Sequence, residues 1–427
     1  MKPTASTALS PVDAARLWMG TVDNPMVVTA VLPLDGPLDQ ATLRRLLRDR
    51  LLVHERFRAR IDLPHLPWNP PRWRQDPDFS LDRHVARVAL PRGSTEADLA
   101  RAVSNLASLP LPIDHPPWRA WLLDGVGPGP VLVVRVHHAI ADGSALLGVL
   151  FAVSDEGDGA LPPPEAPAPA SARSSLPPPA ELLHGAASLG RLLLRRPDAA
   201  GLLAGPLGPR KCVAWSTPVA LEPVRRAAHA ADAHVNDLIL AALAGALRSA
   251  LDPAALHALH ALVPVALPRL PGDLGNRFVS VFVELPLHAA EPAARLRLVR
   301  DDARRARASA GLSLGRVLVR TLGTLGGVAH QAGVRLLSRR ASVVASNVAG
   351  PPVALHLGGR AVTALRVAAP SPGAIPLSVS VASYAGELSL TVLADAHLGV
   401  APAALARLFV DELAALVSPL APDGAPA

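Results

Sequence analysis

The spacing of leucine, valine and arginine divides the chain into patterned stretches around one unpatterned one. Residues 39–53 carry Leu43, Leu46, Leu47 and Leu51 on one stripe, opposite Arg44, Arg45 and Arg48. That spacing predicts an amphipathic helix. Residues 97–109 repeat the pattern more weakly. Residues 131–138, Val-Leu-Val-Val-Arg-Val-His-His, form a short apolar run that predicts a buried strand. Residues 144–153 return to helical spacing. Beyond residue 210, predicted strands at 261–267, 278–285, 341–347, 377–383 and 387–394 mix with predicted helices at 222–232, 237–251, 291–309 and 402–417. Strands and helices that alternate irregularly suit an α/β sandwich better than a doubly wound dinucleotide fold. No G-x-G-x-x-G follows a strand into a helix, and there is no phosphate-binding P-loop.

The pattern lapses at 156–180, where PPPEAPAPASARSSLPPP offers little to bury and reads as a linker. It resumes at 181–196 with leucines at 182, 183, 189, 192, 193 and 194 and arginines at 191, 195 and 196. A basic, leucine-rich helix of this kind packs on its own protein or lies in a membrane interface. The predicted organisation is an N-terminal domain at 1–155, a linker with the basic helix at 156–210, and a C-terminal domain at 211–427.

Composition agrees with two domains. The chain has 427 residues, 50% of them hydrophobic, which is more than one ordinary core. Aromatics make up only 3%, so aliphatic side chains must fill the interior. The net charge of +7 comes almost entirely from arginine, since Lys2 and Lys211 are the only lysines. No basic run is interleaved with aromatics for stacking on bases, so no nucleic-acid partner is expected. A basic surface against anionic lipid fits better. Cys212 stands alone, which excludes an intramolecular disulfide and a cysteine metal cluster. It opens the apolar run Cys-Val-Ala-Trp and reads as a core residue. The N-terminus shows no apolar leader, and no stretch of about 20 apolar residues is present. With a mean hydropathy of +0.29, the expectation is a cytoplasmic protein resting peripherally on the inner face of the membrane.

The segment that carries chemistry is His137-His138-Ala139-Ile140-Ala141-Asp142-Gly143, at the end of the predicted strand. Adjacent strand residues face opposite sides, so one histidine can face a cleft while the other packs. An imidazole titrates near neutral pH and suits proton removal from a hydroxyl or thiol. Asp142 can orient the histidine or hold the loop through an arginine, and Gly143 permits a tight turn and leaves space for a ligand. A metal site is disfavoured, because the adjacent histidines point apart and His257 and His260 lack an obvious carboxylate partner.

Around this segment stand further blocks in a fixed order: LSPVDAARLWMGTVDNPMVV at 9–28, PPWRAWLLDG at 116–125, VNDLILAALAGALR at 235–248, LVPVALP at 262–268, LGNRFVSVFVELP at 274–286 and SNVAGPP at 346–352. With HHxxxDG they resemble the bacterial wax ester synthase/diacylglycerol acyltransferase family, within the wider HHxxxDG acyltransferases, over nearly the whole chain. The resemblance implies two chloramphenicol-acetyltransferase-like α/β sandwich domains, joined by a crossover, with a tunnel at their interface. It implies transfer of a fatty acyl group from acyl-CoA to a long-chain alcohol or diacylglycerol, giving wax ester or triacylglycerol. Acyl-CoA is then a co-substrate, no cofactor is needed, and contact with a membrane or lipid droplet is peripheral.

By the same resemblance His138 is the general base, with His137, Asp142 and Gly143 in support. Asp142 is structural, paired with an arginine that the sequence does not identify. Asn236 and Asp237 belong to a second motif and read as structural, as N-cap and first-turn residue of the helix at 237–251. Ser346 and Asn347 either border the cleft or shape the Gly-Pro-Pro turn. Three places depart from the family pattern: Pro117 stands where Leu is usual, GPLGPRK at 205–211 is unlike the usual piece, and Ser378 replaces a common Asn. These leave the acceptor open between alcohol and diacylglycerol. A carrier-protein-bound acyl donor and a non-catalytic lipid-binding relative remain as alternatives.

Overall fold

The computed structural model describes residues 6–66, 69–157, 198, 203, 207–251, 259–268, 274–308, 323 and 327–420. Most of the predicted linker and the basic helix at 181–196 lie outside the described residues. The α/β expectation holds, and the described elements build two large mixed sheets with helices packed on them, beside a small three-stranded and a two-stranded sheet.

The first sheet has five strands in the spatial order Arg366–Ala368, Val27–Pro33, Val131–His137, Trp118–Asp124 and Val85–Ala89. The predicted strand at 131–138 is its centre, and side chains alternate across it as the pleat requires. Leu132, Val134 and Val136 face the helices Gln40–Leu46 and Gly143–Val153, while Val131 and Val133 face Leu99 and Val103 of the helix Glu96–Ala107. The last helix starts on a reciprocal cap between Thr95 and Asp98. The helix predicted at 39–53 is regular to Leu46 and then widens through Leu47–Leu51, where the Leu52 N–H reaches back to the Leu47 carbonyl at 2.9 Å. A wider turn keeps Leu43, Leu47 and Leu51, spaced by four, on one side of the rod.

The second sheet runs Phe278–Leu285, Leu259–Ala266, Val343–Ala349, Leu377–Tyr384, Glu387–Asp395 and Lys211–Trp215, with Val219–Ala220 also pairing with Glu387–Asp395. The helices Val235–Ala250, Pro292–Arg307 and Pro402–Val417 cover it and share one core with it, in which Leu243, Phe409 and Leu413 are fully buried. Lys211 is buried here against Asp395 at 2.7 Å. Cys212, expected in the core, lies only half-buried on the edge strand. It shares a face with its register partner Ala394, which is buried, but the edge strand leaves it no neighbouring strand on its other side among the described residues.

One element crosses between the units. Arg366–Ala368 follows the second sheet's strand Val343–Ala349 in sequence, yet pairs antiparallel with Val27–Pro33 at the edge of the first sheet. Leu355, Leu357, Val362 and Leu365, just before it, pack into the first unit's core. A boundary at residue 211 therefore separates two lengths of chain and not two self-contained sheets. Among the described residues no single helix is long and apolar enough to cross a membrane.

Candidate active site

His137 ends the central strand of the first sheet, and His138 begins the turn that follows. Both are buried, at 6% and 8% exposure. They part company as adjacent strand residues should. The His137 Nδ1 accepts the Ala139 N–H at 3.1 Å, which commits this ring to the turn. Burial, and then His138 beside it, hold the His137 pKa down to about 3. The His138 Nδ1 instead faces the Asn276 Oδ1 at 2.8 Å. Burial foremost, then the Arg16 guanidinium, lower the His138 pKa to about 4, with the Asp142 carboxylate opposing them. His138 is therefore neutral at pH 7, the state in which an imidazole can take a proton.

Asp142 caps the helix Gly143–Val153, its Oδ1 accepting the Ala145 N–H at 3.0 Å and the Ser144 hydroxyl at 2.9 Å. Its Oδ2 accepts the backbone N–H of Arg277, in the second unit, at 2.7 Å. The Arg16 side chain feels Asp142: burial pulls its pKa down to about 10 against the pull of Asp142 and then Asp13. Arg16 lies with its Cζ 4.1 Å over the Phe278 ring, and that ring is 5.6 Å from His138. Gly143 has no left-handed backbone, and a Cβ there would meet Val348 at an ordinary 3.5 Å. The tight-turn reading of Gly143 is thus corrected. It opens a helix and lines a cavity.

That cavity, about 110 Å³, lies between the first sheet and its helices. Val28, Leu132, Val134 and Val136 form its sheet wall; Leu43, Leu47, Leu51, Leu146, Leu147 and Leu150 form its helical wall. Trp118, from the PPW block, closes one side and donates its indole N–H to the Phe57 carbonyl at 2.8 Å. The second half of the chain supplies Val348, Leu357, Leu365 and Val367. Among the described residues no polar side chain lines it, and apolar cavities of this order stay dry.

The second motif is placed elsewhere. Asn236 is not an N-cap, because the helix begins at Val235 behind His234. Asp237 accepts the His234 backbone N–H at 3.0 Å and faces Arg307 at 3.1 Å. Asn236 lines a separate pocket with Arg307 and Asn347, while Ser346 turns inward and donates to Ser380 at 3.0 Å. Ser378 is buried and its hydroxyl has no partner among the described residues. His260 bonds Asp198 at 2.7 Å, and His257 lies outside the described residues. A Gly-x-Ser-x-Gly pentapeptide at 311–315, the pattern of a serine nucleophile elbow, also lies outside them. No group of three metal-ligating side chains occurs among the described residues.

Three residues of the site carried no signal of their own in the sequence. Asp13, on the helix Pro11–Met19, accepts both the backbone and the side-chain N–H of Asn276 at 3.0 and 2.8 Å. Arg56 spans from Asp13, at 3.2 Å, to the Ile140 carbonyl, at 2.8 Å, and so braces the histidine turn. Asn276 returns to the turn by donating to the His138 carbonyl at 2.8 Å. Asp13 and Asn276 both sit inside blocks recognised by resemblance, but nothing in their spacing joins positions 13, 138 and 276.

Comparison with known proteins supplies the context. A family model described as the wax ester synthase/diacylglycerol acyltransferase catalytic domain matches residues 9–195, and the model of that family's C-terminal domain matches 274–417. A probable diacylglycerol O-acyltransferase of Mycobacterium tuberculosis is 29% identical over 96% of both chains. A putative one from the same species is 30% identical over 78% of both. Among solved structures, the wax ester synthase/diacylglycerol acyltransferase of Marinobacter aquaeolei VT8 superposes with a TM-score of 0.71 at 21% identity, covering 97% of this chain and 99% of the other. The first condensation domain of the calcium-dependent antibiotic synthetase reaches 0.65 at 18% identity, covering 99% and 97%. At those identities the two structures speak for the fold.

Proposed function

The chain belongs to the wax ester synthase/diacylglycerol acyltransferase family, and from that premise we propose that it moves a fatty acyl group from acyl-CoA to a long-chain alcohol or diacylglycerol, with His138 as general base. The observation that carries the reading is a buried, neutral histidine at the end of a strand whose Leu132, Val134 and Val136 wall a wholly apolar cavity. His138 removes the acceptor's proton as its oxygen attacks the thioester carbonyl. The C–O bond forms, the tetrahedral intermediate collapses, the C–S bond breaks, and the proton passes to the leaving CoA thiolate. Because no electron is exchanged and the proton is returned, the reaction needs no cofactor. Asp142 holds the turn to the helix and to Arg277; His137 fixes the turn from within.

The cavity suits a hydrocarbon chain, since each buried methylene contributes about 0.8 kcal/mol. Exclusion of water keeps His138 from hydrolysing the thioester. The test is ester formation from palmitoyl-CoA with hexadecanol, dioleoylglycerol and a short alcohol in parallel, with free thiol counted separately. Long-chain ester in excess of thiol release supports the reading. Thiol without ester, or ester only from a carrier-bound donor, overturns it. The basic leucine-rich stretch 181–196 supports a reversible peripheral contact with anionic lipid at a membrane or droplet surface. Vesicle binding that survives high salt and the replacement of Arg191, Arg195 and Arg196 by Gln would remove that contact.

A further inference from the structure

The block at 274–286 is recognisable in the sequence but has no role in the chemistry described so far. Its Asn276 makes four hydrogen bonds, and their directions are fixed by their partners. The Nδ2 group touches two atoms, the Asp13 Oδ1 at 2.8 Å and the His138 carbonyl at 2.8 Å. A carbonyl only accepts, and the Asp13 carboxylate, its second oxygen facing Arg56, accepts as well. Both partners require the amide nitrogen, so the amide cannot be turned over. Its oxygen must therefore be the atom 2.8 Å from the His138 Nδ1. An amide oxygen accepts, so Nδ1 must carry the hydrogen. In a neutral imidazole only one nitrogen is protonated, which leaves Nε2 with its lone pair free.

We propose that Asn276, held by Asp13, is a positioning residue that fixes His138 in the Nδ1–H tautomer and so makes Nε2 the base. The inference rests on His138 being the base. It adds that the base is armed across the join between the two halves of the chain. Asp13 stands on the first helix, His138 follows the first sheet's central strand, and Asn276 leads into the edge strand of the second sheet. The next residue, Arg277, holds Asp142 through its backbone N–H, so one short loop clamps both ends of the histidine turn. The ring also bonds its own His138 backbone; without the Asn276 acceptor it keeps that contact alone, and the Nε2–H form, which cannot take another proton, gains population.

The charged and titratable groups around the ring are His137 beside it, Arg16 and Asp13 from the first helix, and Asp142 from the turn. Asn276 is uncharged and contributes a hydrogen bond that favours the protonated ring. Its removal should therefore move the acid limb of the kcat profile to lower pH, while the wrong tautomer lowers the plateau.

Nitrogen NMR on the histidine-labelled full chain at neutral pH reads the tautomer directly. His138, assigned by its absence in His138→Ala, should show a protonated Nδ1 and an unprotonated Nε2. In Asn276→Ala the Nε2–H form should appear, kcat should fall by about 10²-fold or more, and the KM for palmitoyl-CoA should stay within about threefold. Asp13→Ala, which leaves the ring's own contact in place, should give the same signature in weaker form. Wild-type His138 protonated on Nε2 would overturn the proposal, as would Asn276→Ala with an unchanged tautomer and kcat. If Asn276→Ala does not fold, the wild-type spectrum decides alone. An active His138→Ala would instead sink the base itself, whatever the tautomer.

Discussion

The two sheets are built alike and filled differently. In the second, the helix Val235–Ala250 has every residue from Asp237 to Leu247 buried, and the sheet, Phe409 and Leu413 close around it. In the first, the still more apolar helix Gly143–Val153 buries only Ala145, Val149, Ala152 and Val153. Its Leu146, Leu147 and Leu150 face the cavity. Close packing is the default for a protein interior, and a void forfeits dispersion contacts along its whole lining. The first unit bears that cost where the histidine strand ends; the second supplies the Asn276–Arg277 clamp and Val348 at the edge of the cavity, and its own pocket, beside Asn236, Arg307 and Asn347, has polar as well as apolar walls.

The sharpest break of this contrast is at His138. His138→Ala should reduce acyl transfer by about 10²–10⁴-fold with the melting temperature nearly unchanged; His137→Ala should cost less activity. Equal turnover of His138→Ala and wild type, at equal folded fraction, would place the chemistry elsewhere. In the wild type, burial and Arg16 hold the base neutral, so activity should persist below the ordinary histidine value of about 6.5 and fail only as pH drops towards about 4. A kcat profile whose acid limb sits at 6.5 or above contradicts the buried, cation-flanked site.

A truncation pair sharpens the comparison next. Leu243→Ala, in the solid core, should lower unfolding free energy by about 2–5 kcal/mol and leave acceptor preference alone. Leu147→Ala, already beside a void, should cost less than about 1 kcal/mol and shift preference towards bulkier or longer chains. Denaturant unfolding and a chain-length series read both; equal losses of stability would mean that the cavity wall is packed as tightly as the core.

A further test is at Asp142. Asp142→Asn keeps the size but offers one acceptor where Ala145 and Arg277 each need one. It should cost about 1–3 kcal/mol and reduce turnover with it. Loss of turnover with unchanged melting would give Asp142 a direct part in the reaction.

Most long elements were legible because their residues repeat with the period of the element. The strands predicted at 261–267, 278–285, 377–383 and 387–394 lie within about two residues of those observed, as does the helix predicted at 402–417. The strands Val85–Ala89 and Trp118–Asp124 escaped, the first because three of its five residues are exposed and alternate with nothing, the second because Arg119 and two prolines interrupt its approach. Arg366–Ala368 is too short for any pattern and takes its place from the strand it meets. At the site, the histidine motif announced itself, and so did Asp142 as a structural residue. The partners that set its geometry did not. Asp13 reads locally as a first-turn helix residue and Asn276 as one polar position before a strand; only the fold brings them to His138.

The stray strand Arg366–Ala368 also governs when the enzyme can come into being during synthesis. It pairs with Val27–Pro33, a partner more than three hundred residues earlier, and it brings Val367 to the cavity wall. As the chain emerges from the ribosome, the first sheet must wait with its Val27–Pro33 edge unpaired and its leucine-lined hollow uncapped until residue 368 is out. Such an edge and such a hollow are what chaperones recognise and what aggregation exploits. The first half is therefore the stretch most open to mispairing during synthesis, and that exposure can end only when about the last seventh of the chain is still to be made.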